Sequence, residues 1–248
     1  MVRSVETWPH AIVRFPIDGF LFFIAMLWVP YFILVVGITI AINVFGTVTS
    51  SVWDPATQII RWFAFGIGAW MVYVYLPVYI AHGATRRNYA TKALGFTIAF
   101  SVTLAALTTI GFVLERVLYG IGNWPQDLSS GGLFSSPTDL PVIFVAFLMA
   151  FGLWTVTGTL LGAAFYRFGG RGLIAVVPGL LLIGIADLAV DSGVPLFGFV
   201  LRAAEVLLGG LAGAPAPATA ALCFAAYLLG AATTWSVLRD VPVRSDGA

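Results

Sequence analysis

Residues 141–165 read PVIFVAFLMAFGLWTVTGTLLGAAF, 25 consecutive residues without a charged side chain. At ~1.5 Å per residue, a helix of that length is about 37 Å long, more than the ~30 Å hydrocarbon core of a bilayer. In lipid such a segment must be helical, because each backbone group left unpaired there costs several kcal/mol. Five further stretches have the same character, at about 20–45, 59–80, 93–114, 173–190 and 218–237. Together they predict an all-α fold, a polytopic membrane protein in which residues 1–248 form one bundle of six transmembrane helices.

Composition agrees. The chain is 60% hydrophobic and 9% charged, whereas a soluble domain carries about 25% charged residues. A net charge of +1, with no basic patch interleaved with aromatics, excludes nucleic acid as a partner. The single cysteine, Cys223, excludes an intrachain disulfide. All basic residues but Lys92 are arginine, and Ala and Gly abound. That bias points to a GC-rich bacterial genome and so to a bacterial cell membrane. The first 18 residues mix charge with Trp8, Pro9 and Pro16, and the apolar run after them is too long for a signal peptide.

Basic residues set the orientation. With the N-terminus inside, the inner segments hold Arg3, Arg14, Arg86, Arg87, Lys92, Arg167, Arg171, Arg239 and Arg244, and the outer side holds only Arg61, Arg116 and Arg202. The predicted topology therefore has both termini in the cytoplasm. Trp53, Trp62 and Trp124 are then expected at the outer interface, with Trp8 and Trp235 at the inner one. Between spans, residues 5–16 place Val5, Trp8, Ile12 and Phe15 at helical spacing, which suits a helix lying along the inner interface. Residues 115–140 read as an outer loop. Residues 195–217 are apolar yet hold Arg202 and Glu205 and are broken by Gly209, Gly210 and Gly213, which fits a re-entrant outer segment.

Catalytic signatures are missing from the sequence. There is no GxxxxGK[ST] and no HExxH, and neither His10 nor His82 has metal-ligand spacing. Ser129 and Ser130 lie across the predicted membrane from both histidines, so no Ser–His pair forms. The chain is expected to be no enzyme and to need no cofactor or metal. Asp187 falls in the outer third of its span, as a cation site or as an interfacial acid paired with Arg202. Trp70, Tyr73, Tyr75 and Tyr79 are candidates to line a path for an amphipathic solute, although bundle packing accounts for the same spacing. Gly158 and Gly162 form a GxxxG motif for close helix packing, within the chain or between protomers.

Residues 82–93, HGATRRNYATKA, carry Arg86, Arg87 and Lys92 between two spans. Gly83 ends one helix and Thr85 caps the next. The two arginines then oppose the helix dipole, so a second influence must favour them. Positive charge retained on the inner face is one, and an acidic partner is another.

GATRRNY, Gly83 to Tyr89, resembles the first inner loop of the permease subunits of ABC-2-type transporters. The six spans, the interfacial N-terminal helix and the broken segment before the last span follow the same layout, while the long outer loop 115–140 departs from it. The resemblance implies the membrane subunit of an ATP-driven exporter for a hydrophobic or amphipathic solute. In that family the loop docks on a separate ATPase subunit, which here assigns docking to Arg86, Arg87, Tyr89 and Lys92, and two permease chains pair as a homodimer or heterodimer. The alternative is a non-transporting membrane protein serving assembly, sensing or immunity.

Overall fold

The computed structural model describes residues 8–128, 132–190 and 215–241, with residues 8–21 and 25 described by backbone alone. All regular structure among the described residues is helical. α1 spans Trp8–Phe45, α2 Trp53–Trp70, α3 Leu76–Ala81, α4 Arg86–Gly122, α5 Leu140–Phe168, α6 Val176–Val190 and α7 Ala216–Arg239. A π-helical turn, Met71–Tyr75, joins α2 to α3, and a 3-10 turn, Gly169–Ala175, joins α5 to α6.

Five stretches are long and apolar enough to cross a membrane: Phe22–Phe45, Trp53–Ala81, Arg86–Gly122, Leu140–Val190 and Ala216–Arg239. These are the helices of a multi-pass membrane protein. The fourth stretch doubles back on itself. Gly179 of α6 packs against Leu161 and Thr157 of α5, and the Leu133 amide, just before α5, donates to the Ala189 carbonyl near the end of α6 (3.0 Å). α6 therefore runs antiparallel to α5. At 15 residues it is about 22 Å long.

Helix bounds differ from the predicted spans where a helix outruns the apolar run. α4 continues to Gly122, through residues read from composition as loop, because Glu115 and Tyr119 on its buried face have partners on the α1–α2 connection. α1 runs unbroken from Trp8, so the residues expected to form a separate interfacial helix continue directly into the first span. The predicted re-entrant segment, apart from its last residues, lies outside the described residues.

α5 is the central element, and α2, α4, α6 and α7 all pack on it. Its residues are apolar on every side, as a helix enclosed by others requires. Small residues let α2 come closest. A Cβ on Gly158 would stand 2.0 Å from the Phe65 carbonyl oxygen, one on Gly162 2.9 Å from the Ala69 oxygen, and one on Gly68 of α2 2.2 Å from the Thr155 oxygen. The GxxxG pair thus faces α2 of the same chain, backbone against backbone. Thr155 and Thr159 donate to their own helix, at the Phe151 and Thr155 carbonyls, so they add no polar cost to the contact.

The π turn has a local cause. Pro77 lacks the amide that would bond the Tyr73 carbonyl, and its ring crowds that turn. The widened turn before it also leaves backbone acceptors open. Tyr89 of α4 fills one, donating its hydroxyl to the Met71 carbonyl at 2.7 Å.

Gly158→Leu is expected to push α2 off α5 and to destabilise the protein by about 1–3 kcal/mol or more. Thermal unfolding in detergent reads the loss. Gly66→Ala is the control, since its added methyl meets nothing within 4 Å.

Candidate functional site

Two regions bring chemistry-bearing side chains together, one at each end of α2–α3. The first is a chain of buried polar groups that begins at the start of α2. Glu115 reaches across from α4 and takes the Val52 amide (3.0 Å) and Trp53 amide (2.9 Å) on one oxygen. Its other oxygen takes the Ser51 hydroxyl (2.7 Å) and the Gln126 side-chain amide (2.9 Å). Amides at a helix N-terminus have no partner within the helix and carry partial positive charge. A carboxylate from another helix satisfies them here.

Deeper along the same face of α2 are Asp54, Thr57 and Arg61, spaced three and four residues apart and all buried. Arg61 lies about 12 Å along the helix from Trp53 and is 1% exposed. Its Nη1 donates to Asp187 Oδ1 of α6 at 3.1 Å, and its Nη2 to Thr57 Oγ1 at 3.1 Å. The Phe147 ring of α5 lies 5.9 Å from the guanidinium carbon. A buried ion pair of this kind holds only with such supporting bonds, because both ions have lost their water. It ties α2 to α6 across α5.

The expectation that Asp187 pairs with Arg202 gives way to Arg61; Arg202 lies outside the described residues. Trp53, at the start of α2, packs inside the protein. It is fully buried against Trp28, Tyr31 and Phe32, and its Nε1 donates to the Thr108 carbonyl at 3.1 Å. Gly111 makes room for it, since a Cβ there would fall 2.2 Å from the indole. The aromatic residues named for a path and the acid Asp187, a further candidate for it, do not gather at one place. Trp70 and Tyr73 are 41% and 52% exposed on the perimeter, against Tyr75 and Tyr166, while Asp187 is inside. An apolar cleft of about 210 Å³ opens instead between α1, α2 and α4, lined by residues that include Trp28, Tyr31, Ile60, Phe63 and Leu104.

The second region is the turn between α3 and α4. Gly83 adopts φ +80°, which glycine permits without strain. Thr85 caps α4 through the Asn88 amide (3.2 Å), as its position predicts. Arg86 is half-buried and Arg87 exposed, with the Arg87 guanidinium 5.8 Å from the Trp235 ring of α7. Lys92 Nζ lies 5.9 Å from the Tyr79 ring. Tyr89 is 2% exposed and holds the π turn from within. Of the four residues assigned to docking, Tyr89 is therefore the one placed inside the bundle.

Sequence reasoning missed the Arg61–Asp187 pair. The available signal was the 54/57/61 spacing, which puts three polar residues on one face of an apolar helix. No protein-family model, curated protein or solved structure matches this chain.

Arg61→Met is expected to strand the Asp187 carboxylate and to cost about 3–5 kcal/mol. Arg61→Met/Asp187→Leu should recover most of that loss, because neither member of the pair is then left as an unmatched buried charge. Unfolding of the variants in detergent measures both, and a double variant as unstable as the single one would rule out the pair as the cause.

Proposed function

We propose that this chain is the membrane subunit of an ATP-driven exporter, energised by a separate ATPase that docks at the α3–α4 turn. The observation that carries the reading is that turn. It is only four residues long, it is closed by Gly83 and Thr85, and it presents Arg86 and Arg87 at the end of the bundle where α5 and α7 also finish. A short stiff loop transmits a partner's movement to the two helices it joins. The resemblance of GATRRNY to the ABC-2 permease loop points to the same use.

In this reading the chain crosses a bacterial cell membrane six times with both termini inside. α6 and the 3-10 turn before it form the fifth span. At ~1.5 Å and ~2 Å per residue they are long enough together for a ~30 Å core. Residues 195–217 are then the outer re-entrant segment, and a second permease chain completes the transporter. The apolar cleft between α1, α2 and α4 suits a hydrophobic or amphipathic solute arriving from the bilayer. The buried acid Asp187 is neutralised by Arg61, which favours an ATP-driven mechanism over coupling to an ion gradient.

Arg86→Lys/Arg87→Lys keeps the charge and removes the planar, two-pronged donor geometry. Co-expressed with its ATPase, this variant is expected to insert normally and to lose partner-stimulated ATP hydrolysis on the order of tenfold or more. Full activity with normal insertion would leave the arginines only the task of orientation.

A further inference from the structure

Trp235, in the last turns of α7, has two cations at its ring. The Arg87 guanidinium carbon lies 5.8 Å from the ring centroid and that of Arg239 5.1 Å. Arg167, at the end of α5, donates to the Val237 carbonyl two residues further on (3.1 Å). Among the described residues, the one salt bridge at this end of the bundle joins Arg239 to the neighbouring Asp240 at 3.1 Å, and both partners are about half exposed. Arg87 and Arg167 form none. Like charges gathered on one ring repel, more strongly where hydrocarbon lowers the local dielectric. An anion between them relieves that repulsion.

The surroundings identify the anion's carrier. Arg87 heads an exposed stripe on α4 that continues at helical spacing through Thr91, Gly95, Ile98 and Val102. Arg239 heads another on α7 that continues through Ser236, Ala232, Leu229 and Leu228. α4 and α7 pack side by side, joined by the Thr97–Tyr227 hydroxyl contact at 3.1 Å. Each stripe is apolar through the span and cationic at its end, and an indole marks the level where the polarity changes. That sequence of polarity is complementary to one molecule type, a phospholipid with an anionic headgroup. A soluble protein would meet the cations and leave the apolar stripes uncovered.

We propose that Arg87, Trp235 and Arg239 form a headgroup site for an anionic phospholipid whose acyl chains lie along the exposed stripes of α4 and α7. The proposal rests on the membrane-spanning helices and this geometry, and is independent of the exporter reading.

The test uses the full chain in neutral detergent, given phosphatidylglycerol or phosphatidylcholine of the same acyl composition, with bound lipid counted by native mass spectrometry. Wild type is expected to retain phosphatidylglycerol and to release phosphatidylcholine. Arg87→Gln/Arg239→Gln should lower retention at least about tenfold, at roughly one factor of five per surface cation. Arg87→Lys should keep the lipid, so this outcome separates from loss of ATPase docking. Arg116→Gln, exposed at the other end of α4, should change nothing. Should the double variant misfold, Arg87→Gln alone reads the same site. Equal retention of the two lipids overturns the proposal, as does an equal loss with Arg116→Gln. Inorganic phosphate at millimolar concentration displacing the lipid would make this a bare anion site. A glutamine pair that keeps phosphatidylglycerol and loses only ATPase association would make it a protein-docking surface.

Discussion

Everything in this bundle is arranged around the crossing of α2 over α5, where Gly68 meets Thr155 and Gly158 and Gly162 meet Phe65 and Ala69. In lipid there is no hydrophobic gain from bringing two apolar helices together, so close packing must supply the attraction. Side chains between the helices would hold them apart. Glycines on both sides of the crossing let backbone atoms touch. α5 is then enclosed by α2, α4, α6 and α7, and the polar face of α2 is fixed opposite α6.

That placement explains how an apolar bundle tolerates Asp54, Arg61, Glu115 and Asp187 in its interior. Arg61 is met by the Asp187 carboxylate and the Thr57 hydroxyl, and Glu115 by two amides, Ser51 and Gln126. Left unmatched, any of them would cost several kcal/mol. The two clusters join α2 to α6 and to α4 near one end of the bundle, while Tyr89 and the π turn join α3 to α4 near the other. These attachments fix α2–α3 to its neighbours at both ends.

Much of this was legible in the sequence. The uncharged run 141–165, the turn at Gly83 and Thr85 and the GxxxG pair are local patterns, and local patterns translate directly into helix, cap and packing face. The tertiary pairings were not legible. Arg61 and Asp187 are 126 residues apart, and nothing local to either announces the other. Near the predicted outer ends of their spans, they looked like interfacial charges. The burial of Trp53 was not legible either, because the space its indole fills is made by Gly111 on another helix. α4 outran its predicted span for a similar reason: Glu115 reads as the start of a loop until its partners at Ser51 and Trp53 are known. Tyr89 was assigned to docking through the resemblance of GATRRNY, yet two residues on from the exposed Arg87 the helix turns it inward.

The central claim is that α2 and α5 cross within one chain. Incorporating the photoreactive residue p-benzoylphenylalanine at Phe65 and irradiating the protein in membranes tests it directly. Mapping of the crosslink by peptide mass spectrometry should find α5 residues of the same polypeptide, around Trp154, whose ring is 6.5 Å from that of Phe65. Crosslinks that join two chains, or that fall on helices other than α5, would contradict the account.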